Sequence, residues 1–383
     1  MARRFHTIDQ LRRTAKARTP RFAFDFIDGG AGTEMGFAEN EAGLRRVKLI
    51  PRVLSGCETR STVTELFGRQ YALPIALAPI GMAGVGWPGA ERGMAQAAAA
   101  ANVPYILSTA ACLSIEDAAV EAGENFWFQL YAGKDASMVD DLVDRADASG
   151  AQALILTVDV PVGGKRLRDL KNKFILPLRP SLAMAWDVAT HPEWSLATLQ
   201  AGAPRFANME RYSEKGAKAS SLAELMSAQS SARIDWTFLG ELRKRWDRKL
   251  IVKGVMHPED AKRIIDAGVD AVIVSNHGGR QLDASPAPID MLPLVRAAVG
   301  PDATVMVDGG FRSGEDVAKA LVLGADMVLL GRAFCYGVGA LGPRQGPDEV
   351  IRIIREELDR AMALLGCHDL RGFGPERHRT GSV

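Results

Sequence analysis

Of the six histidines in the chain, only His277 closes a short apolar, β-branched run, in the string SNHGGRQLD (275–283). An imidazole takes up a proton near neutral pH, so a histidine held at such a point can serve as a general base. His6, His368 and His378 lie toward the termini, His191 sits in a long irregular segment, and His257 precedes Pro258 as a helix-start residue. Asp159 closes an earlier apolar run and could orient the imidazole and stabilise its cation. Arg166 and Arg280 flank the same region, and two guanidinium groups suit a bidentate grip on one carboxylate, which points to a small organic acid. Lys253 also ends an apolar run, where a buried ammonium is costly unless it meets a negative or electron-rich partner. A hydrogen-bonded loop histidine is the plainer reading of His277 alone, but Gly278, Gly279 and Arg280 beside it reverse the odds.

These residues need elements to bring them together. Apolar runs at 74–79, 104–108, 126–131, 153–159, 249–254, 270–279, 303–310 and 326–332 read as strands. Helical periodicity falls at 89–101, 115–122, 135–149, 236–246, 258–267, 289–299, 313–323 and 347–365. Eight strands alternating with eight helices predict a closed (β/α)₈ TIM barrel, with a doubly wound sheet as the alternative. A single domain is expected: residues 1–70 as an N-terminal helical cap, 71–365 as the barrel, and 170–235 as a mobile insertion after the fourth strand. In a barrel the site stands at the C-terminal strand ends. Here these are Pro79 to Gly81, Ser108, Gln129 and Tyr131, Thr157 and Asp159, Lys253, Ser275 to His277, Asp308 to Arg312, and Gly331 with Arg332. Glycine-rich loops with Arg312 and Arg332 after the last two strands imply a phosphorylated ligand, against the plainer reading of ordinary glycine turns.

Two patterns imitate other functions. Met94 to Ile115 carries no charge over a membrane-spanning length, but Asn102-Val103-Pro104 breaks it into a buried helix and a strand. Gly84 to Gly89 fits GxGxxG, yet it begins well beyond the strand end, and no dinucleotide-binding half explains the units that follow. Lys+Arg 47 against Asp+Glu 46 leaves a net charge of +1, so no broad field gathers nucleic acid. The four dispersed cysteines form no metal or disulfide pattern, no secretory signal follows the N-terminal arginines, and a cytoplasmic protein without a metal is expected.

The strings SNHGGRQLD (275–283), WFQLY (127–131), TVDVPVGGKRLRD (157–169), DGGFRSG (308–314) and LLGRAF (329–334) resemble the FMN-dependent 2-hydroxy acid dehydrogenase and oxidase family over nearly the whole chain. The resemblance implies FMN as the phosphorylated ligand. Its binding residues would be Pro79, Ile80, Gly81, Ser108, Gln129, Thr157, Lys253, Ser275, Asp308, Gly309, Gly310, Phe311, Arg312, Gly331 and Arg332. It implies His277 as base, Asp159 as its support, Arg166 and Arg280 as carboxylate ligands, and Tyr131 as a hydrogen-bond partner of the substrate oxygen. Oxidation of an L-2-hydroxy acid to the 2-oxo acid follows, in a homotetramer.

Three positions shade that picture. Phe26 stands where the family usually has a second active-site tyrosine, which removes a hydroxyl contact and implies weaker carboxylate binding, a preference for a more apolar substrate, or compensation by another residue. Ala110 replaces a bulky aromatic of the glycolate oxidases, so lactate or a mandelate-like acid is expected. Gly81 is similar to the dehydrogenases, where oxidases carry alanine, so a quinone or similar carrier is expected as acceptor rather than oxygen. The insertion with THPEW (190–194) resembles a segment by which some relatives associate peripherally with the inner membrane; a disordered lid is the alternative. The competing functions are an oxygen-using oxidase, another FMN barrel such as an isomerase, and a non-catalytic phosphate- or FMN-binding barrel.

Overall fold

The structure is a computed structural model that describes residues 4–174, 181–212, 234–374, 376 and 378–380. Eight parallel strands close into a barrel: β1 (Ile75–Leu77), β2 (Tyr105–Ser108), β3 (Phe126–Leu130), β4 (Ala153–Thr157), β5 (Lys249–Val255), β6 (Ala271–Val274), β7 (Thr304–Val307) and β8 (Met327–Leu330). Every predicted strand is present; seven are trimmed at their ends, because residues beyond the last ladder pair belong to loops, and β5 instead runs one residue further, to Val255.

Side chains alternate across each strand, and this period of two builds the site. Ala76, Ile106, Trp127, Ile155, Ile251, Ile273, Met306 and Leu329 share one buried cluster, while Leu77, Leu107, Phe128, Leu156, Val252, Val274 and Val307 pack in a second with the helices. Two residues beyond members of the first cluster come Ser108, Gln129, Thr157, Lys253, Ser275 and Asp308, all buried. One parity therefore runs from apolar barrel filling to a polar top layer, and the register pairs Ser108 with Gln129 and Thr157 with Lys253. A hairpin of 64–66 with 69–71 turns at Phe67 and Gly68, both at positive φ as a two-residue hairpin turn demands. It brings Leu66 and Tyr71 into the inner cluster, with the Phe67 and Trp127 rings 6.0 Å apart.

The cap contains α1 (Ile8–Arg18), α2 (Arg21–Asp28) and α3 (Met35–Arg46), but it is not purely helical: Val47 to Leu49 pair antiparallel with residues 378–380. Around the barrel lie α4 (Ala90–Ala101), α5 (Ile115–Ala122) and α6 (Ala136–Ala148). The insertion contributes α7 (Leu182–Ala189) and α8 (Pro192–Ala201), and then come α9 (Trp236–Arg245), α10 (Pro258–Asp266), α11 (Pro288–Val299), α12 (Gly314–Val322), α13 (Arg332–Leu341) and α14 (Gly346–Leu365). Helix α13 was not expected. In the insertion Trp194 and Phe206 are buried, and the Trp194 indole donates to the Val85 and Gly86 carbonyls. The rest of the expected mobile segment, residues 175–180 and 213–233, lies outside the described residues. Gly84 to Gly86 of the GxGxxG string fall in a single helical turn.

Candidate active site

A cavity of about 1010 Å³ opens over the C-terminal ends of the strands. Phe26, Pro79, Ile80, Gly81, Tyr131, Thr157, Arg166, Lys253, His277, Arg280, Asp308 to Arg312, Gly331 and Arg332 line it. Of the remaining expected site residues, Ser108, Gln129, Ser275 and Asp159 stand directly behind this surface. The Ser108 hydroxyl donates to Gln129 Oε1 at 2.9 Å, and Ser275 Oγ accepts from Lys253 Nζ at 2.8 Å and from the His277 backbone N–H at 3.0 Å.

His277 has φ of 58°, a left-handed conformation uncommon for a residue with a side chain, which its surroundings must hold in place. Its Nδ1 lies 2.9 Å from Asp159 Oδ1 and its Nε2 lies 3.4 Å from the Tyr131 hydroxyl. With the Nδ1 proton donated to Asp159, Nε2 is the nitrogen left to accept a proton. Asp159 reaches this place because Gly254, at φ of 102°, has no side chain: a Cβ there would stand 2.5 Å from that of Asp159.

Burial pushes the Asp159 carboxyl up, but the charges of His277 and Lys253 and the His277 hydrogen bond outweigh it and hold the carboxyl below its usual value. Lys253 is the converse: burial pulls it down, while Asp308 at 3.1 Å and Asp159 at 3.9 Å keep it raised and charged. Burial pushes Tyr131 up to about 12, aided by the Asp159 charge, so its phenol remains a donor at neutral pH.

The arginines are placed by the cap. Arg280 Nη1 donates to the carbonyls of Phe26 and Gly29, and Arg332 donates to those of Ile27, Gly29 and Gly278. The first three carbonyls belong to the C-terminal end of α2, where the helix dipole is negative and cations are favoured. Burial, then the like charges of Arg166 and Arg332, push Arg280 down to about 9, leaving it charged at neutral pH and short of an anion. Arg166 is only partly buried, with Asp169 3.7 Å away. Phe26 lies between the two cations, its ring centre 5.9 Å from the Arg166 guanidinium and 5.6 Å from that of Arg280, and 5.0 Å from the Phe174 ring. Phe174, Phe206, Met138, Met209, Leu170 and Ile234 extend this apolar wall of the cavity.

Several buried polar atoms in or beside the cavity have no protein partner: Gln129 Nε2, Thr157 Oγ1, Asp308 Oδ1 and Arg312 Nη2. Unpaired buried donors and acceptors are expensive. Donors and acceptors on the floor, with an unpaired guanidinium nitrogen beside Gly309 and Gly310, fit a polar heteroaromatic ligand that ends in a phosphate. Arg332 gives three of its five N–H groups to backbone carbonyls, so Arg312 is the less committed of the two cations at that end.

Sequence reading missed the brace behind these groups. Asp28, 1% exposed, accepts from Arg12 Nε at 2.7 Å and Nη2 at 2.9 Å, from Arg168 at 2.8 Å and from the Tyr336 hydroxyl at 2.7 Å. Despite its burial, the Arg12 and Tyr336 hydrogen bonds and the Arg12 charge hold it well below the usual carboxylate range. It thereby joins α1, the end of α2, the short helix Leu167–Lys171 that follows Arg166, and α13. Only its place beside Phe24, Phe26 and Ile27 in the FDFID string, which also carries Asp25, hinted at it.

The profile of the FMN-dependent dehydrogenase family matches residues 15–380 of the chain. The (S)-mandelate dehydrogenase of Pseudomonas putida is 38% identical over 376 residues, covering 98% of this chain and 94% of that protein. The L-lactate dehydrogenase of Caulobacter vibrioides is 40% identical over 363 residues, 94% of each. A crystal structure described as monotopic membrane protein (S)-mandelate dehydrogenase superposes with a TM-score of 0.95 at 37% identity, covering 99% of this chain and 100% of that one.

Proposed function

This chain belongs to the FMN-dependent dehydrogenase family, and we propose that His277 is its proton acceptor, Asp159 the support of that base, and Arg166 with Arg280 the grip on the substrate carboxylate. The protein is an FMN-dependent enzyme that oxidises a 2-hydroxy acid to the 2-oxo acid. FMN, when bound, supplies the acceptor for the two electrons. The observation that carries the assignment of roles is the constellation itself: an imidazole with Nδ1 on a buried carboxylate, its Nε2 beside a protonated tyrosine, and two guanidinium groups on the same cavity.

In this reading the substrate carboxylate lies against Arg166 and Arg280. The Tyr131 hydroxyl donates to the oxygen on the 2-carbon. His277 Nε2 removes one proton, and Asp159 steadies the cation that forms. Pro79 to Gly81, Ser108, Gln129, Thr157, Lys253 and Ser275 would hold the ring system and its polyol. Asp308 to Arg312, Gly331 and Arg332 would hold the phosphate end. Lys253 keeps a positive charge at the floor, where it favours electron density gained by a neighbour.

The substrate we propose is an L-2-hydroxy acid with a large apolar substituent, mandelate-like before lactate-like. Phe26, Phe174, Phe206 and Met209 offer that substituent an apolar wall, and Ala110 leaves room beside Gly81. A Cβ on residue 81 would stand 3.2 Å from that of Ala110, a tight contact that would narrow this side of the cavity. Glycine at position 81, similar to the dehydrogenases, favours a quinone or similar carrier as acceptor. Comparing oxygen consumption with reduction of a soluble quinone tests this choice.

Among the described residues no helix is long and apolar enough to cross a membrane. Peripheral contact fits instead: α7 exposes Leu182 and Trp186, and α8 exposes Leu196 and Leu199. Co-sedimentation with anionic vesicles, lost in Trp186→Ser, would support it; no vesicle binding by the parent protein would refute it. The proposed assembly is a homotetramer, which light scattering reads directly. Anaerobic mixing of the flavin-loaded protein with (S)-mandelate and with L-lactate tests the chemistry: bleaching is expected with both, faster with mandelate.

A further inference from the structure

Asp159 and Arg166 stand on the loop after β4, whereas His277 and Arg280 stand on the loop after β6, with β5 between the two strands. A base and its carboxylate, and two guanidinium groups meant for one carboxylate, therefore depend on two separate loops keeping one distance. Gln281 spans that gap. Its Nε2 donates to the Asp159 carbonyl at 2.9 Å and to the Val162 carbonyl at 3.1 Å, while its Oε1 accepts from the Gly164 N–H at 2.8 Å. Among the described residues, the contact of His277 with Asp159 is the other hydrogen bond between these loops.

The loops also touch directly: a Cβ on Gly164 would stand 2.1 Å from the Arg280 carbonyl oxygen, so glycine permits the approach and the carboxamide locks it. Three oriented bonds from one side chain need two donors and one acceptor at the length of glutamine. Glutamate keeps the acceptor and loses both donors, leucine loses all three, and asparagine is one methylene short. Arg166 lies two residues beyond the acceptor-side contact, and Arg280 immediately precedes Gln281.

We propose that Gln281 is a positioning residue that fixes the Arg166 loop against the His277–Arg280 loop and so sets the spacing of the carboxylate grip. The proposal rests on the reading that Arg166 and Arg280 hold the substrate carboxylate. Gln281 acts through them, so its loss weakens binding of a carboxylate more than it slows the transfer of electrons once substrate is bound.

The test uses the flavin-loaded full chain as parent, Gln281→Leu and Gln281→Glu. Phenylacetate, a carboxylate without the 2-hydroxyl, is titrated by its perturbation of the flavin spectrum. The limiting rate of anaerobic flavin reduction by (S)-mandelate is measured beside it, with flavin content and melting temperature. Both variants are expected to bind phenylacetate and mandelate roughly tenfold more weakly, the size expected for losing hydrogen bonds to a partly exposed amide. Limiting rates should fall less than threefold, with flavin retained and melting within a few degrees of the parent. Unchanged phenylacetate affinity in both variants would overturn the proposal. So would a parallel fall of affinity, rate and flavin content, which marks a merely structural tie. A parent protein that no 2-hydroxy acid bleaches would instead overturn the functional reading, and this inference with it.

Discussion

Replacing Asp159 by asparagine keeps the shape of the site and removes one charge, which isolates what that charge does for His277. The carboxylate oxygen lies 2.9 Å from Nδ1. Opposite charges centred about 4 Å apart interact by about 4 kcal/mol at the effective dielectric suited to proteins. Asp159 is also shared with Lys253, 3.9 Å from its other oxygen, and the asparagine carbonyl can still accept the Nδ1 proton, so roughly 3 kcal/mol is the share expected to be lost. At about 1.4 kcal/mol per decade this is about a hundredfold in the rate of proton removal. The assay is anaerobic stopped-flow reduction of the bound flavin at saturating (S)-mandelate, with substrate affinity read from the concentration dependence. Affinity should change little, because neither guanidinium moves. A limiting rate within threefold of the parent would refute the idea that the Asp159 charge stabilises a protonated His277.

Three further outcomes follow from the same geometry. His277→Gln should keep FMN and lose about 10²–10⁴-fold in flavin reduction rate, the usual worth of a general base; near-normal reduction would remove the residue from its role. Phe26→Tyr restores a donor between the two arginines and should lower the KM for mandelate about tenfold, as expected for a hydrogen bond to a charged group, and an unchanged KM would show that the hydroxyl is of no account here. Asp28→Asn leaves Arg12 and Arg168 without their buried anion and should destabilise the protein by about 3 kcal/mol at pH 7 in urea unfolding. The folded carboxyl is held below its usual value, so its stabilisation is whole above the unfolded pKa of about 4 and is lost as pH falls through the folded value. The gap between parent and variant should therefore narrow below about pH 4, and a gap that widens there would contradict the assignment.

Much of this architecture was legible because strands in a parallel barrel are uniformly apolar and end abruptly in polar residues, as ALILTVD (153–159) and DAVIVSNHGG (270–279) do. The polar floor of the candidate site was legible for the same reason: Ser108, Gln129, Thr157, Lys253, Ser275 and Asp308 are the polar positions that close the apolar stretches. Helix α13 escaped because it has no solvent face to give a period; Phe334, Tyr336, Val338 and Ala340 are all buried, and Gly337 and Gly339 pack against Gly346 and Ala15. The hairpin at 64–71 turns on Phe67-Gly68 instead of the usual Asn-Gly pair. Trp194 resembled an interfacial residue, but its indole is buried against the loop after β1. The ties made by Asp28 and Gln281 were not legible because their partners lie up to 308 residues away, a distance that no local pattern spans.

The absorbance of the flavin-loaded protein after anaerobic mixing with (S)-mandelate is the most direct test of the proposed chemistry. Rapid bleaching that saturates with substrate, with one 2-oxo acid formed per flavin and the response abolished in His277→Gln, is the predicted result. An unbleached spectrum with mandelate, lactate and every other 2-hydroxy acid offered would contradict it.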